Sequence, residues 1–287
     1  MQRVLEVSER RACRVLDQPR SSQRYQAQEG EEQRRLVGRM RALSEEHPRY
    51  GYRRITALLR REGWQVNRKR VQRWRGQEGL KVPRKQHKKR RRGTSEGESR
   101  HRAERKNQVW SYDFLEDRTE DGRKLRLLVV VDEFTRECLG IEVERSMTAA
   151  AVVETLRYLF ELRGVPEFIR SDNGPEFIAW AVKGWLGGAR VKTLYIDPGS
   201  PWENPYSESF NSRFRDELLD REMFTSLAEA KVLVEDYRLD YNHRRPHSAL
   251  GYQTPAEFAA TWGKACSATL RSPSPKAKVD SLLSVLS

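Results

Sequence analysis

The segments WSYDFLED (110–117), KLRLLVVVD (124–132) and LGIEV (139–143) follow one another at short intervals and decide the reading of the fold. Each is a strand candidate, bounded by polar or turn-forming residues, and three in succession predict an antiparallel meander. Downstream the pattern changes. Thr148–Leu162 reads as a helix ending at Gly164, and Glu167–Arg170 reads as a short strand leading into Ser171-Asp172-Asn173-Gly174. Pro175 suits the first position of a helix running to about Trp185. Val191–Ile196 is a fifth strand, Asp197–Pro201 a turn, and a long helix starts near Asn204–Pro205 and runs past Leu219. Strands in a run, then alternating with helices, predict an α/β fold: a mixed five-stranded sheet with flanking helices.

Upstream, the chain is helical and basic. Ser8 is placed to cap a short helix through Leu16, Pro19 breaks it, and Ser21 or Ser22 could cap the next. In residues 31–80, Leu36, Met40 and Leu43 recur at helical spacing before His47-Pro48. Ile55, Leu58 and Leu59 share a face of a second helix that ends at Gly63. Asn67 is placed to cap a third, with Val71 and Trp74 inward and Arg68, Lys69, Arg70, Arg73 and Arg75 on its outer face. Three short helices, the last Arg-rich, predict a helix-turn-helix domain whose third helix reads guanine and phosphate in a major groove. An ordinary basic helical bundle would carry the same pattern.

Charge divides the chain in the same way. Residues 1–106 hold 32 Lys/Arg against 13 Asp/Glu, whereas 107–287 hold 23 against 28. A basic first third on a mildly acidic remainder points to a polyanion-binding module joined to a second body. Residues 82–106 have almost no apolar content and read as a basic linker able to lie along phosphates. The organisation expected is 1–81 helix-turn-helix, 82–106 linker, 107–262 catalytic body, and 263–287 a disordered Ser/Pro/Lys-rich tail. Three widely spaced cysteines, Cys13, Cys138 and Cys266, form neither a CxxC pair nor a disulfide framework, which suits a reducing compartment. No apolar run approaches a membrane span and the N-terminus lacks an apolar signal segment, so a cytoplasmic location is expected, without membrane partners.

Three acidic side chains stand where a site is expected. Asp113 interrupts a strand, which disfavours Asp. Asp172 sits at the C-terminal end of a strand, the edge where open α/β sheets bind ligands. Glu208 lies one turn into a helix, with 35 residues between it and Asp172. Carboxylates in a trio are what Mg²⁺ takes as hard oxygen ligands, and two such ions can activate one side of a phosphodiester and stabilise the other. Taken singly, each acid has an ordinary role: edge residue, turn former, solvated helix residue. Asp132, after the LLVVV run, could be a fourth acid near metal, although a structural role is preferred. Asn242-His243-Arg244-Arg245-Pro246-His247 is either a patch touching DNA or a helix-terminating turn packed on the core.

WSYDF, RSDNGPEF, DPGSPWENPYSESFNSRFRDELL and YNHRRPHSALGYQTPAEF together resemble the integrase-type core of insertion-sequence-3 family transposases, in particular the downstream-frame (orfB) product. HPRYGYRRITALLRREGWQVNRKRVQRW is similar to the helix-turn-helix before that core, so the resemblance spans residues 7 to about 262. It implies an RNase H-like fold and a DDE transposase dependent on Mg²⁺ or Mn²⁺, with Asp113, Asp172 and Glu208 as catalytic metal ligands. It implies strand cleavage to a 3′-OH, then attack of that 3′-OH on another strand. Arg215, seven residues after Glu208, matches a basic position near the DNA, and Asn173 a turn that lets DNA approach Asp172. The implied partners are the element's terminal repeats, target DNA, the upstream-frame transposase product and further copies of this chain as a homo-oligomer on DNA, in a bacterial, nucleoid-associated setting. A nuclease that cuts without joining, and a DNA-binding regulator on an inert core, are the alternatives. An intact trio of acids argues against the second.

Overall fold

In the computed structural model, residues 7–25, 30–83, 102–171, 176–195 and 205–269 are described, with side chains described except at 176–179, 195 and 263–269. The chain divides into two compact units, Met1–Val82 and Pro83–Ser287.

The first unit is helical: α1 (Glu9–Val15), α2 (Arg20–Arg24), α3 (Glu31–Glu46), α4 (Tyr52–Arg61) and α5 (Arg68–Gln77). Ser8 caps α1 by accepting from the Arg11 amide. Ser21 and Ser22 lie inside α2, whose N-cap is Pro19, so neither caps it. The apolar positions read from the sequence make the core: Leu36, Met40 and Leu43 of α3, Ile55 and Leu59 of α4, and Val71 and Trp74 of α5 are buried together. The Asn67 side chain accepts from the Lys69 amide at 2.9 Å and fixes the start of α5. Gly63, at φ 90°, makes the left-handed exit from α4 that a side chain would strain.

The second unit carries a five-stranded sheet in the order β3-β2-β1-β4-β5, from β1 (Val109–Arg118), β2 (Lys124–Asp132), β3 (Cys138–Glu144), β4 (Phe168–Ser171) and β5 (Lys192–Tyr195). The meander β1–β2–β3 is antiparallel, and β4 and β5 add in parallel on the other side of β1. This mixed topology, with helices on both faces, is RNase H-like. The helices are α6 (Ala149–Arg163), capped by the Thr148 hydroxyl and left through Gly164, α7 (Glu176–Gly188), α8 (Pro205–Phe214), α9 (Leu227–His243) and α10 (Pro255–Thr269). The last continues past residue 262, and residues 270–287 of the expected tail lie outside the described set.

Alternation along the strands sends side chains to two layers. Trp110 and Tyr112 of β1 join Leu128, Val130 and Leu139 against Leu156, Leu159 and Phe160 of α6 and Val182 and Leu186 of α7. Leu115 joins Leu125, Leu127, Val129 and Val131 against Phe210 and Phe214 of α8 and Val234, Tyr237 and Tyr241 of α9. Asp113 shares the Leu115 side, so the pleat aims it at α8. After Phe214 the α8 axis continues as a single π-helical turn, Arg215–Leu219, with the Asp220 amide donating to the Arg215 carbonyl at 2.8 Å. The one long helix read from the sequence is therefore interrupted in hydrogen-bond pattern.

Candidate active site and DNA-facing surfaces

Asp113 is half-buried at the middle of β1, the central strand. The Asn211 side chain of α8 donates to its Oδ2 at 2.7 Å, and the Phe114 amide donates to its Oδ1 at 2.8 Å. Asn211 is buried, one turn after Glu208 on the same helix, so the two side chains lie on neighbouring parts of one face. One turn further, Arg215 Nη2 reaches the Glu116 carbonyl at 3.1 Å. The pairs Asn211–Asp113 and Arg215–Glu116 therefore run α8 alongside β1 in the same direction, with Glu208 beside the strand's upstream half. Glu208 is exposed, and partial desolvation raises its carboxyl above the ordinary glutamate range. Ser111 and Ser207, both fully buried, carry hydroxyls without a hydrogen-bond partner among the described residues, and the same holds for the buried Asn211 Oδ1.

The third acid, Asp172, lies outside the described residues, as do Asn173, Gly174, Pro175 and Asn204. Among the described residues no three His, Cys, Asp or Glu side chains gather as a metal cluster. What leads to Asp172 is described. Arg170 of β4 is buried and its Nε donates to the buried Glu133 Oε1 at 2.7 Å. The Glu133 amide in turn donates to the Val109 carbonyl at 3.0 Å, so the β2–β3 turn is tied to the start of β1 and, through the ion pair, to β4. Burial pushes the Glu133 carboxyl up, against the pull of Arg170.

Asp132 has the structural role expected of it. It is fully buried, its Oδ1 accepts from the Phe134 and Thr135 amides at 2.9 and 2.8 Å, and its Oδ2 accepts from the Asn107 amide at 2.8 Å. The NHRRPH segment also packs rather than projects. The Asn242 amide is buried, accepting from the Cys138 N–H at 2.9 Å and donating to the Cys138 carbonyl at 2.7 Å, beside the β-bulge between β2 and β3. Arg245 is 2% exposed and holds Glu217 by two bonds of 2.7 Å. His243 and Arg244 are exposed.

On α5, Arg68, Lys69 and Arg73 are exposed as expected, and Arg70 is half-buried with its guanidinium 4.2 Å from the Trp74 ring centroid. Arg75 is not on the outer face. It is 3% exposed, Nη2 donates to the Leu80 carbonyl at 2.5 Å, and burial lowers its pKa. Its position, four residues after Val71, puts it on the buried stripe, where it closes the turn after α5 instead of facing a ligand. Asn211 was missed by sequence reasoning. Its signal was a polar residue between Phe210 and Phe214, at helical spacing from Glu208.

Sequence comparison with known families agrees with this architecture. Models described as "Integrase core domain" match residues 103–201 and 189–255, and one described as "HTH-like domain" matches 31–89. An uncharacterised protein of insertion element IS407 from Burkholderia multivorans is 41% identical over 254 residues, covering 88% of this chain and 91% of that one. A second from insertion element IS476 of Xanthomonas euvesicatoria is 39% identical, covering 91% and 76%. The putative transposase InsK of element IS150 from Escherichia coli is 30% identical, covering 75% and 78%. The HTLV-2 integrase catalytic core domain, solved with magnesium, superposes with TM-score 0.44 at 18% identity, over 55% of this chain and 99% of that one. No helix among the described residues is long and apolar enough to cross a membrane.

An RNase H-like sheet with an integrase core, joined to an HTH-like domain, defines a DDE-type polynucleotidyl transferase that acts in DNA transposition. The chain belongs to the insertion-sequence-3 family of transposases, as a downstream-frame (orfB) product.

Proposed function

We propose that this transposase cleaves DNA at the ends of an insertion sequence and joins the freed 3′-OH to a target strand, using Asp113, Asp172 and Glu208 to hold divalent metal. The observation that carries the reading is the Asn211–Asp113 bond at 2.7 Å, which fastens the Glu208 helix to the Asp113 strand. The donor set fits Mg²⁺ or Mn²⁺: hard carboxylate oxygens, one already oriented by an amide. When bound, the metal supplies a Lewis acid for the phosphodiester oxygens and lowers the pKa of an attacking water or 3′-OH. The protein's own part is orientation. Asn211 orients the Asp113 carboxylate, and α8 presents Glu208 one turn away. No Ser, Tyr or Cys need act as nucleophile, since water and then the 3′-OH attack in line.

In this reading residues 1–81 bind the terminal repeats through Arg68, Lys69, Arg70 and Arg73 on α5, residues 82–106 follow phosphates, and residues 107–262 carry the chemistry. Arg215 and Asn173 contact DNA at the catalytic face. Pairing two ends requires at least two copies on DNA, with the upstream-frame product as partner, in the bacterial cytoplasm. The test is joining of end-labelled terminal-repeat DNA to target DNA in Mg²⁺ by wild type and Glu208→Gln. A joined product from wild type alone, with equal end binding by both, supports the reading. Nicked but never joined DNA makes the protein a nuclease, and equal activity of Glu208→Gln removes Glu208 from the site.

A further inference from the structure

The π-helical turn after α8 and the buried arginine of the NHRRPH segment form one device. A π turn inserts one residue into the helical phase and often sits at a functional position. Here the inserted residue shows in the packing. The buried residue after Phe214 is Leu219, five positions on, whereas Leu218, four positions on, is only partly buried. Arg215 is the first residue of the turn. Its carbonyl takes the Asp220 amide, and its guanidinium lies over β1 on the Glu116 carbonyl. Glu217, two residues on, is turned the other way, into the fork of Arg245. Arg245 is fixed from its own side. Its amide donates to the Asp240 carbonyl at 2.9 Å, its guanidinium lies 5.2 Å from the Tyr241 ring centroid, and Pro246 next to it is buried.

A bidentate guanidinium–carboxylate pair fixes direction as well as distance, which a lysine at the same place does not. The pair therefore ties Glu217, in the middle of the π turn, to a fixed point at the end of α9. Relaxation of the turn to α-helical phase would rotate the residues after Phe214 about the axis. We propose that Arg245 is a positioning residue: through Glu217 it holds the π turn, and the π turn keeps Arg215 at its place on the Glu116 carbonyl of β1. The buried arginine of the NHRRPH segment then bears on DNA through Arg215. This rests on the proposal that Arg215 contacts DNA at the catalytic face.

The experiment uses the full chain and four proteins: wild type, Arg245→Lys, Arg215→Ala and the double variant. Strand transfer is measured against DNA concentration, and amide exchange is followed at residues 215–220. Arg245→Lys is expected to speed exchange at the Asp220 amide and to lower strand transfer by about the factor lost in Arg215→Ala. The double variant is expected to be no worse than Arg215→Ala alone. Multiplying losses in the double variant would overturn the proposal and make Arg245 an independent contributor. So would unchanged exchange in Arg245→Lys. An Arg215→Ala protein with wild-type transfer refutes the DNA role of Arg215 itself, whatever Arg245→Lys does to the exchange. If Arg245→Lys does not fold, Glu217→Gln, which keeps the shape and removes the charge, is read by the same two measurements, with the same outcomes deciding.

Discussion

Replacing Asn211 with alanine removes the bond that orients Asp113, and its cost follows from the contact. The donor is buried, the acceptor is half-buried, and the bond is 2.7 Å long. A hydrogen bond to a charged group contributes about 1.5–3 kcal/mol. At about 1.4 kcal/mol per tenfold, that is roughly a 10- to 100-fold effect on whatever the aligned carboxylate binds, the range found when the outer partner of a metal ligand is lost. Stability changes less, because Asp113 regains water. A loss of about 1 kcal/mol lowers the melting temperature by roughly 2–4 °C for a unit of this size. The assay is a Mg²⁺ titration of strand transfer, with metal-free melting in parallel. The half-saturating Mg²⁺ concentration of Asn211→Ala is expected to rise about 10- to 100-fold, with near-normal end-DNA binding. A variant that melts lower but keeps the wild-type Mg²⁺ dependence would refute the reasoning, leaving Asn211 as packing alone.

Three further outcomes are expected. Desolvation raises the Glu208 carboxyl above its ordinary 4.5, so it takes up a proton at higher pH than a free glutamate. Metal-dependent activity should therefore fall on the acid side from above that value, and saturating Mg²⁺ should move the fall to lower pH; a pH–rate profile at two Mg²⁺ concentrations checks this. Asp132→Ala orphans three backbone amides and should destabilise the second unit by about 3 kcal/mol or more at about 1–3 kcal/mol each, while Mg²⁺ affinity of the folded fraction stays unchanged; denaturant unfolding with metal titration separates the two. Arg73→Ala should weaken end binding across sequences and reduce the slope of log affinity against log salt by about 1. Arg75→Ala should instead lower the stability of the first unit, the salt slope staying put.

Much of this protein is legible in its residues because local chemistry and tertiary need agree. Ser8, Asn67 and Thr148 cap helices where a side-chain oxygen precedes an apolar period, and Gly164 ends one where a positive φ is required. The β1–β3 meander follows from three strand-like runs joined by short connections. What stayed hidden depends on contacts far apart in sequence. Arg75 looks like one more surface arginine until the Leu80 carbonyl closes over it. Arg245 and Glu217 are 28 residues apart, and nothing local shows that they pair. The π turn leaves no mark in an apolar period, since Leu218 and Leu219 are both leucine and either could fill the core. Asn211 reads as an ordinary polar position until β1 is laid beside α8. Two of the three acids are placed on their elements, and the third falls outside the described residues.

The Asn242 amide on Cys138 has a bearing on how the sheet ends. β3 is a margin of the sheet, where bare peptide groups invite a foreign backbone to zip on. There one side-chain amide imitates a missing neighbour, donor to acceptor and acceptor to donor, and closes that stretch. A foreign strand arriving at that stretch finds the Cys138 donor and acceptor already engaged, so backbone pairing cannot begin there.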